Sequence, residues 1–213
     1  MTLALSAAER AGLHSYLRRV LALDDRAAVR VQARGLVAGV WSGPPFGVLA
    51  LRPLALLGEA EVDATVSARR LLEALDDAAR LRLPPGVVGP VWAAQLPPRG
   101  GWLTRAVVPV ATVAAQVAVA VEAFQRRADA LAEPARTPEA LERLAEDVWG
   151  QTLVLDLPLR MAHAAVSLGL LGEQGEVRAA ASGAWRRLAC PGGSVLWRSR
   201  SPGLPLGVTA ESI

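Results

Sequence analysis

Apolar residues near the start of the chain recur at helical spacing. Leu13, Tyr16, Leu17, Val20 and Leu21 line one face, and Arg10, Arg18 and Arg19 fall on the others. Ser6 with Glu9 three positions on forms a capping box, so a helix is predicted to start there and to end at Asp24 and Asp25. The period then changes. Val29, Val31 and Ala33 alternate with Arg30, Gln32 and Arg34, the pattern of a half-buried strand. Residues 36–41 predict a second strand and residues 42–45, Ser-Gly-Pro-Pro, a turn. Residues 46–57 predict a third strand, interrupted at Pro53. Residues 62–66 add a fourth. Short sequential strands with tight links predict an antiparallel meander. Ser67 then caps a helix that buries Leu71, Leu72 and Leu75.

Pro84, Pro85 and Gly86 break the pattern, and residues 87–96 read as one more strand. From Thr104 the chain turns helical. Residues 106–132 predict one long helix, with Pro109 tolerated in its first turn. Thr137-Pro138-Glu139 is a helix start: an N-cap, proline at the first position and an acid at the positive dipole end. Its apolar stripe is Leu141, Leu144, Ala145 and Val148. Asp156 is predicted to cap a further helix running to Leu171. Residues 177–200 predict a hairpin turning at Pro191, Gly192 and Gly193. The expected class is α+β: an N-terminal helix and antiparallel meander, then a mostly helical half ending in a β-hairpin. The expected division is an α+β domain over residues 1–104, a helical region over 105–200 and a loose tail over 201–213. A single domain is the competing reading.

Composition narrows the chemistry. All 23 basic residues are Arg, and the chain has neither Lys nor Asn. Codon bias in a GC-rich bacterial genome accounts for that usage, and its chemical consequence is strict. Schiff-base, P-loop and kinase lysines are excluded. The single cysteine, Cys190, excludes internal disulfides and cysteine-based zinc sites. The sequence pI near 10.3 overstates the charge, because the net is only +3 and Arg does not titrate near neutrality. Residues 1–55 hold seven Arg against three acids, and residues 105–156 hold five against eight. A general polyanion binder concentrates its charge more heavily. The N-terminus lacks the basic start of a signal peptide. The apolar stretch 106–121 is Ala-rich and broken by Pro109, Thr112 and Gln116, too short for a membrane span. A soluble, cytoplasmic protein without membrane contact is expected.

Two segments stand out as candidate sites. Arg99, Gly100, Gly101, Trp102, Thr104 and Arg105 place two guanidinium groups, free amides and a hydroxyl before the predicted helix start, a combination that suits a small anion. The competing reading is an ordinary Gly-rich turn capped by Thr104. The C-terminal order of helix, helix and Gly-tipped hairpin resembles a winged helix. That resemblance implies a recognition helix over residues 157–171, presenting Arg160, His163 and Ser167. It implies a wing carrying Arg186, Arg187, Arg198 and Arg200. Glu139, Glu142, Glu146 and Asp147 on the preceding helix would repel phosphate. Catalytic material is sparse. The two histidines, His14 and His163, lie far apart in sequence. A dyad of Cys190 and His163 needs the fold to juxtapose them. Glu59, Glu61 and Asp63 are the one carboxylate set to weigh for a cation, and they read more simply as a polar loop. No residue pattern calls for a metal or a cofactor, so neither is expected.

The favoured reading is a non-enzymatic binding or regulatory protein that contacts a partner protein or a small anionic ligand. It is expected to be a homodimer, because the long Ala/Val helix is apolar nearly all round and needs covering. The alternatives are a DNA-binding regulator using the C-terminal unit and an enzyme acting on an anionic substrate at the Arg99–Arg105 loop.

Overall fold

Burial along the first long strand changes phase once. Val29, Val31 and Ala33 are buried, and past Gly35 the buried positions become Ala38, Val40 and Ser42. The register shifts between Gly35 and Val37, across which the partner strand runs from Ala60 to Ala55. Gly35 supplies the positive φ of 64° at that shift. The computed structural model, which describes residues 2–76, 80–154 and 156–199, therefore has one strand where the alternation suggests two. This strand, β2 (Ala28–Ser42), pairs antiparallel along its length with β3 (Leu49–Ser67). The four expected short strands are one long hairpin. Pro53 does not interrupt β3. It sits opposite Gly39, just past Leu51, where the neighbour on the other edge stops pairing, so a missing N–H is tolerated there.

Before this hairpin come β1 (Thr2–Ala4) and α1 (Ala7–Leu23), and after it α2 (Ala68–Asp76) and β4 (Arg80–Arg82). Strands β1 and β4 pair with each other. Helix α1 buries Leu13, Tyr16, Leu17 and Val20, as the periodicity predicts. Ser6 accepts from the Glu9 amide at 3.1 Å, but the Glu9 carboxylate does not close the box. It turns to the Ala55 amide at 3.0 Å and the Arg52 guanidinium at 3.8 Å. Residues 87–96 are not a strand. Gly86 makes a single bridge to Val66, and Val91–Ala94 is a 3-10 turn. Pro84, Pro85 and Pro90 remove the donors a ladder would need.

The second half opens on β5 (Leu103–Pro109), and only then comes α3 (Val110–Asp129). The helix expected from Thr104 starts six residues late. Val107 and Val108 suit a strand, and Pro109 is the N-cap. Helix α4 (Pro138–Trp149) starts where expected, with Thr137 accepting from the Ala140 amide at 3.2 Å. The short strands β6 (Thr152–Val154) and β7 (Leu157–Pro158) lead to α5 (Leu159–Ser167). This helix is shorter than expected and buries Leu159, Met161, Ala162, Ala164 and Ala165. The C-terminal hairpin is three strands: β8 (Glu176–Ser182), β9 (Trp185–Cys190) and β10 (Gly193–Arg198).

One antiparallel sheet carries both halves in the order β2-β3-β10-β9-β8-β5. The helices pack against it, α1 and α2 over β3, and α3 and α5 over β8, β9 and β10. One buried apolar cluster extends from Leu3 and Tyr16 through Val113 and Met161 to Val195. The class is α+β, as read from the sequence. The resemblance to a winged helix fails on topology. Strands β8, β9 and β10 are interior strands of the sheet, so they form no projecting wing, and α5 is a core helix rather than a recognition helix. The expected tail, residues 201–213, lies outside the described residues, as does Arg200.

Candidate functional site

Between the two halves lies a cavity of about 760 Å³. The turn linking β2 to β3 supplies Pro45, Phe46 and Gly47, and the end of α4 supplies Glu146, Trp149 and Gly150. Arg160 from α5 and Trp197 and Arg198 from β10 complete it, with Asp156 at its edge. No two of these contributing segments are neighbours in sequence except α4 and the region just after it. The cavity exists because β10 pairs with β3 and draws the last strand against the first hairpin.

Aromatic rings, guanidinium groups and carboxylates all line it. The Trp149 and His163 rings pack with centroids 4.0 Å apart, and Phe46 meets His163 edge-on at 4.9 Å. Burial lowers the His163 pKa, and its Nδ1 is buried without a hydrogen-bond partner. Arg160 donates to both carboxylate oxygens of Glu146, at 3.1 and 2.6 Å. Two glycines stand beside that guanidinium. A Cβ at Gly150 would lie 3.5 Å from Arg160 Nη2 and would also collide with the Glu146 carbonyl, and one at Gly47 would lie 4.0 Å from Arg160 Nη1. Arg186 pairs with Asp156 and holds that carboxyl below its ordinary range. Arg198 lies at the mouth with no acidic partner among the described residues.

The Arg99–Arg105 segment has a different arrangement from the one expected. It runs into β5 and not into a helix. Gly101 has φ 75°, and the Gly100 carbonyl accepts from Ser182 Oγ at 3.4 Å. The Trp102 indole donates to the Pro98 carbonyl at 3.0 Å, and the Arg187 guanidinium lies 5.9 Å from its ring centre. Thr104 is a strand residue opposite Ala180. The two arginines serve different carboxylates. Asp63 is held low chiefly by Arg30, then by Gln32, with Arg99 adding a weaker pull. Asp156 is held low chiefly by Arg186, with Arg105 the smaller contributor.

The arginines expected on a wing are likewise dispersed. Arg160 and Arg198 line the cavity, Arg186 secures Asp156, and Arg187 donates to Ser194 Oγ at 3.0 Å. Arg200 is outside the described residues. Cys190 and His163 are not a dyad: the thiol approaches the Leu188 carbonyl, and burial pushes its pKa up to about 12. Asp63 is occupied by Arg30 and Gln32. Among the described residues no three His, Cys, Asp or Glu side chains group as metal ligands. Sequence reasoning missed Phe46, Trp149 and Trp197 as site residues. No local motif marks them, because the cavity is assembled from residues as distant as Pro45 and Arg198.

Two family models match the chain. Residues 1–95 match a domain of unknown function, DUF8010, and residues 97–202 match another, DUF8185. No curated protein matches in sequence. Solved structures do match in fold. The DNA polymerase III subunit beta of Pseudomonas aeruginosa superimposes with a TM-score of 0.55 at 14% identity, over 96% of this chain and 66% of that one. A Bartonella birtlesii sliding clamp bound to griselimycin gives 0.53 at 13% identity, over 97% and 69%. The Helicobacter pylori beta clamp bound to a DNA ligase peptide gives 0.50 at 11% identity, over 100% and 71%. The chain spans about two thirds of the length of these clamps. Among the described residues no helix is long and apolar enough to cross a membrane. These likenesses show the architecture: an α+β fold of antiparallel sheets and, among the described residues, five α-helices, resembling the domains of bacterial sliding clamps.

Proposed function

We propose that this chain is a non-enzymatic binding protein whose junction cavity receives a short segment of a partner protein. The observation that carries the reading is the cavity itself. Three aromatic side chains, Phe46, Trp149 and Trp197, line a concave site of about 760 Å³ that also has guanidinium groups for orientation. Ligand sites join apolar side chains to placed polar groups, and Trp and Arg are enriched where binding energy concentrates. The ionisable groups around it are engaged with one another, Glu146 with Arg160 and Asp156 with Arg186. That arrangement suits recognition better than acid–base chemistry. The clamps of similar fold include one solved with a DNA ligase peptide. A photoreactive amino acid placed at Trp197 in the living cell tests the reading. It should crosslink a discrete protein at one short segment, whereas the same group at exposed Val88 should not. Diffuse or absent crosslinking at Trp197 would count against it.

Self-association is part of the same proposal. β5 ends the sheet, and no described strand pairs its outer edge. Leu103 and Val107 on β5 are exposed by 60% and 47%, and Val119 on the adjoining α3 by 64%. Apolar side chains beside an open edge are what a second copy would cover.

A further inference from the structure

We propose that the chain's own C-terminal segment, residues 200–213, occupies the junction cavity and that a partner segment must displace it. This rests on the reading of the cavity as a protein-segment site and adds how that site is regulated. The place where the chain leaves the sheet is the first observation. Strand β10 runs antiparallel to β3, with Ser194 opposite Leu51 and Leu196 opposite Leu49, so its last residues head toward the turn that bears Phe46. Trp197 lines the cavity. Two residues on, Ser199 is tied to the Ala184 carbonyl by its amide at 2.9 Å and by its hydroxyl at 3.0 Å. The residues that follow therefore start from a fixed point close to the rim.

The sequence and length of the segment suit the cavity. Residues 201–210 read Ser-Pro-Gly-Leu-Pro-Leu-Gly-Val-Thr-Ala, with no charged side chain. Both carboxylates of the lining are already paired, Glu146 with Arg160 and Asp156 with Arg186, so an uncharged segment brings in no charge that lacks a partner. Leu204 and Leu206 offer aliphatic groups for Phe46, Trp149 and Trp197 to cover. Pro202 and Pro205 fix two φ angles in advance, which lowers the entropic cost of ordering the segment. A sphere of 760 Å³ is about 11 Å across, and the five residues from Ser199 to Leu204 reach about 17 Å when extended. The hollow lined by Val37, Trp41, Leu51 and Pro53 lies on the opposite face of the sheet, since Leu51 stands across from Ser194 and Trp197 has the other parity. Tethering gives so short a segment a local concentration of about 1 mM. With a Kd of about 0.1 mM it would fill the cavity about nine times in ten and weaken a competing peptide about tenfold.

The test uses the full chain. A photoreactive amino acid in place of Leu204 should crosslink within the same chain to the cavity, at Phe46, Trp149 or their neighbours in the lining, with a yield that does not change on dilution. A fluorescent synthetic peptide of residues 200–213 is the second probe. It should bind the full-length Leu204→Ser, Leu206→Ser variant about tenfold more tightly than the wild type, because the variant leaves the cavity open. Adding Phe46→Ala should remove most of that binding. The crosslink from Leu204 needs no change in the cavity, so it decides the matter even where Phe46→Ala unfolds. Crosslinks scattered over the surface or confined to the hollow at Trp41 and Leu51, or equal binding of the peptide to wild type and variant, would overturn this inference. A crosslink that joins two chains and fades on dilution would assign the cavity to the segment of a second copy and overturn it likewise. The in-cell crosslink from Trp197 separates this inference from the reading beneath it. Capture of residues 200–213 and of no other protein would remove the partner and leave the segment in the cavity. Capture of a partner in equal yield from the wild type and the double-leucine variant would keep the partner and overturn the competition.

Discussion

At the scale of single residues, the sequence speaks most clearly where a side chain acts on its immediate neighbours. Ser6 and Thr137 cap their helices as their positions dictate. Where a side chain acts at a distance the sequence is silent. Nothing near Glu9 announces that its carboxylate serves the Ala55 amide, and nothing near His163 announces that it will lie between Phe46 and Trp149. His163 has a measurable consequence. Burial lowers its pKa below the ordinary 6.5, so the unfolded chain takes up a proton first as the pH falls. Stability is therefore unaffected above about pH 7. It declines as the pH drops below the ordinary histidine value and levels off once the folded-state group also protonates. Urea midpoints measured from about pH 7 to about pH 5 should fall, and His163→Leu should flatten that decline. Asp63 and Asp156, held low by Arg30 and Arg186, contribute losses only at more acid pH. An equal decline in the wild type and the variant would place the titration elsewhere.

At the scale of elements, apolar period locates helices better than it locates their ends. Helices α1 and α4 lie where their stripes place them. The start of α3 was misread because Thr104 is a good cap and Pro109 is acceptable in a first turn. Local preference could not register that β8 offers a partner to residues 103–109 from about 70 positions away. The same limit split β2. A bulge changes which parity of residue faces the core, and a single-strand pattern reads that change as an end. Helix α3 buries Val110, Val113, Val117 and Ala120, with Val113 and Val117 1% and 3% exposed. Val117→Asp should destabilise the fold by about 3–5 kcal/mol, since the new carboxylate would have no counter-charge in the core. Thermal or urea unfolding measures this, and a variant of unchanged stability would show that the stripe is wet. The opposite face of α3 exposes Ala111, Ala114, Ala115 and Ala118. Apolar character all round the helix therefore divides into a core face and an outer one, and only the outer one bears on assembly.

At the scale of the whole molecule, the class was legible and the site was not. Alternation and helical period are summed from local windows, so they survive errors in individual boundaries. The cavity depends on which strand of one half pairs with which strand of the other, and no window contains that information. Assembly is testable at this scale. Val107→Lys and Val119→Lys replace exposed apolar side chains with charges beside the open edge of β5. They should shift sedimentation from an associated species toward the single chain with little change in melting temperature. Sedimentation as a single chain before any substitution would remove the proposal of self-association.

The pairing of β3 with β10 is brief: Leu49 with Leu196, Ala50 with Val195 and Leu51 with Ser194. Arg52 reinforces it by donating to the Gly192 carbonyl, 140 positions along the chain. Gly193 permits it, because a Cβ there would collide with the Leu51 carbonyl. Closing so long a loop carries an entropic penalty that only the finished second half can offset. During synthesis the first half emerges with one edge of β3 bare, and its companion strand follows some 140 positions later. Until then the first hairpin is exposed to any other strand that meets it, so the nascent chain is at its most vulnerable to mispairing in the interval before β10 arrives.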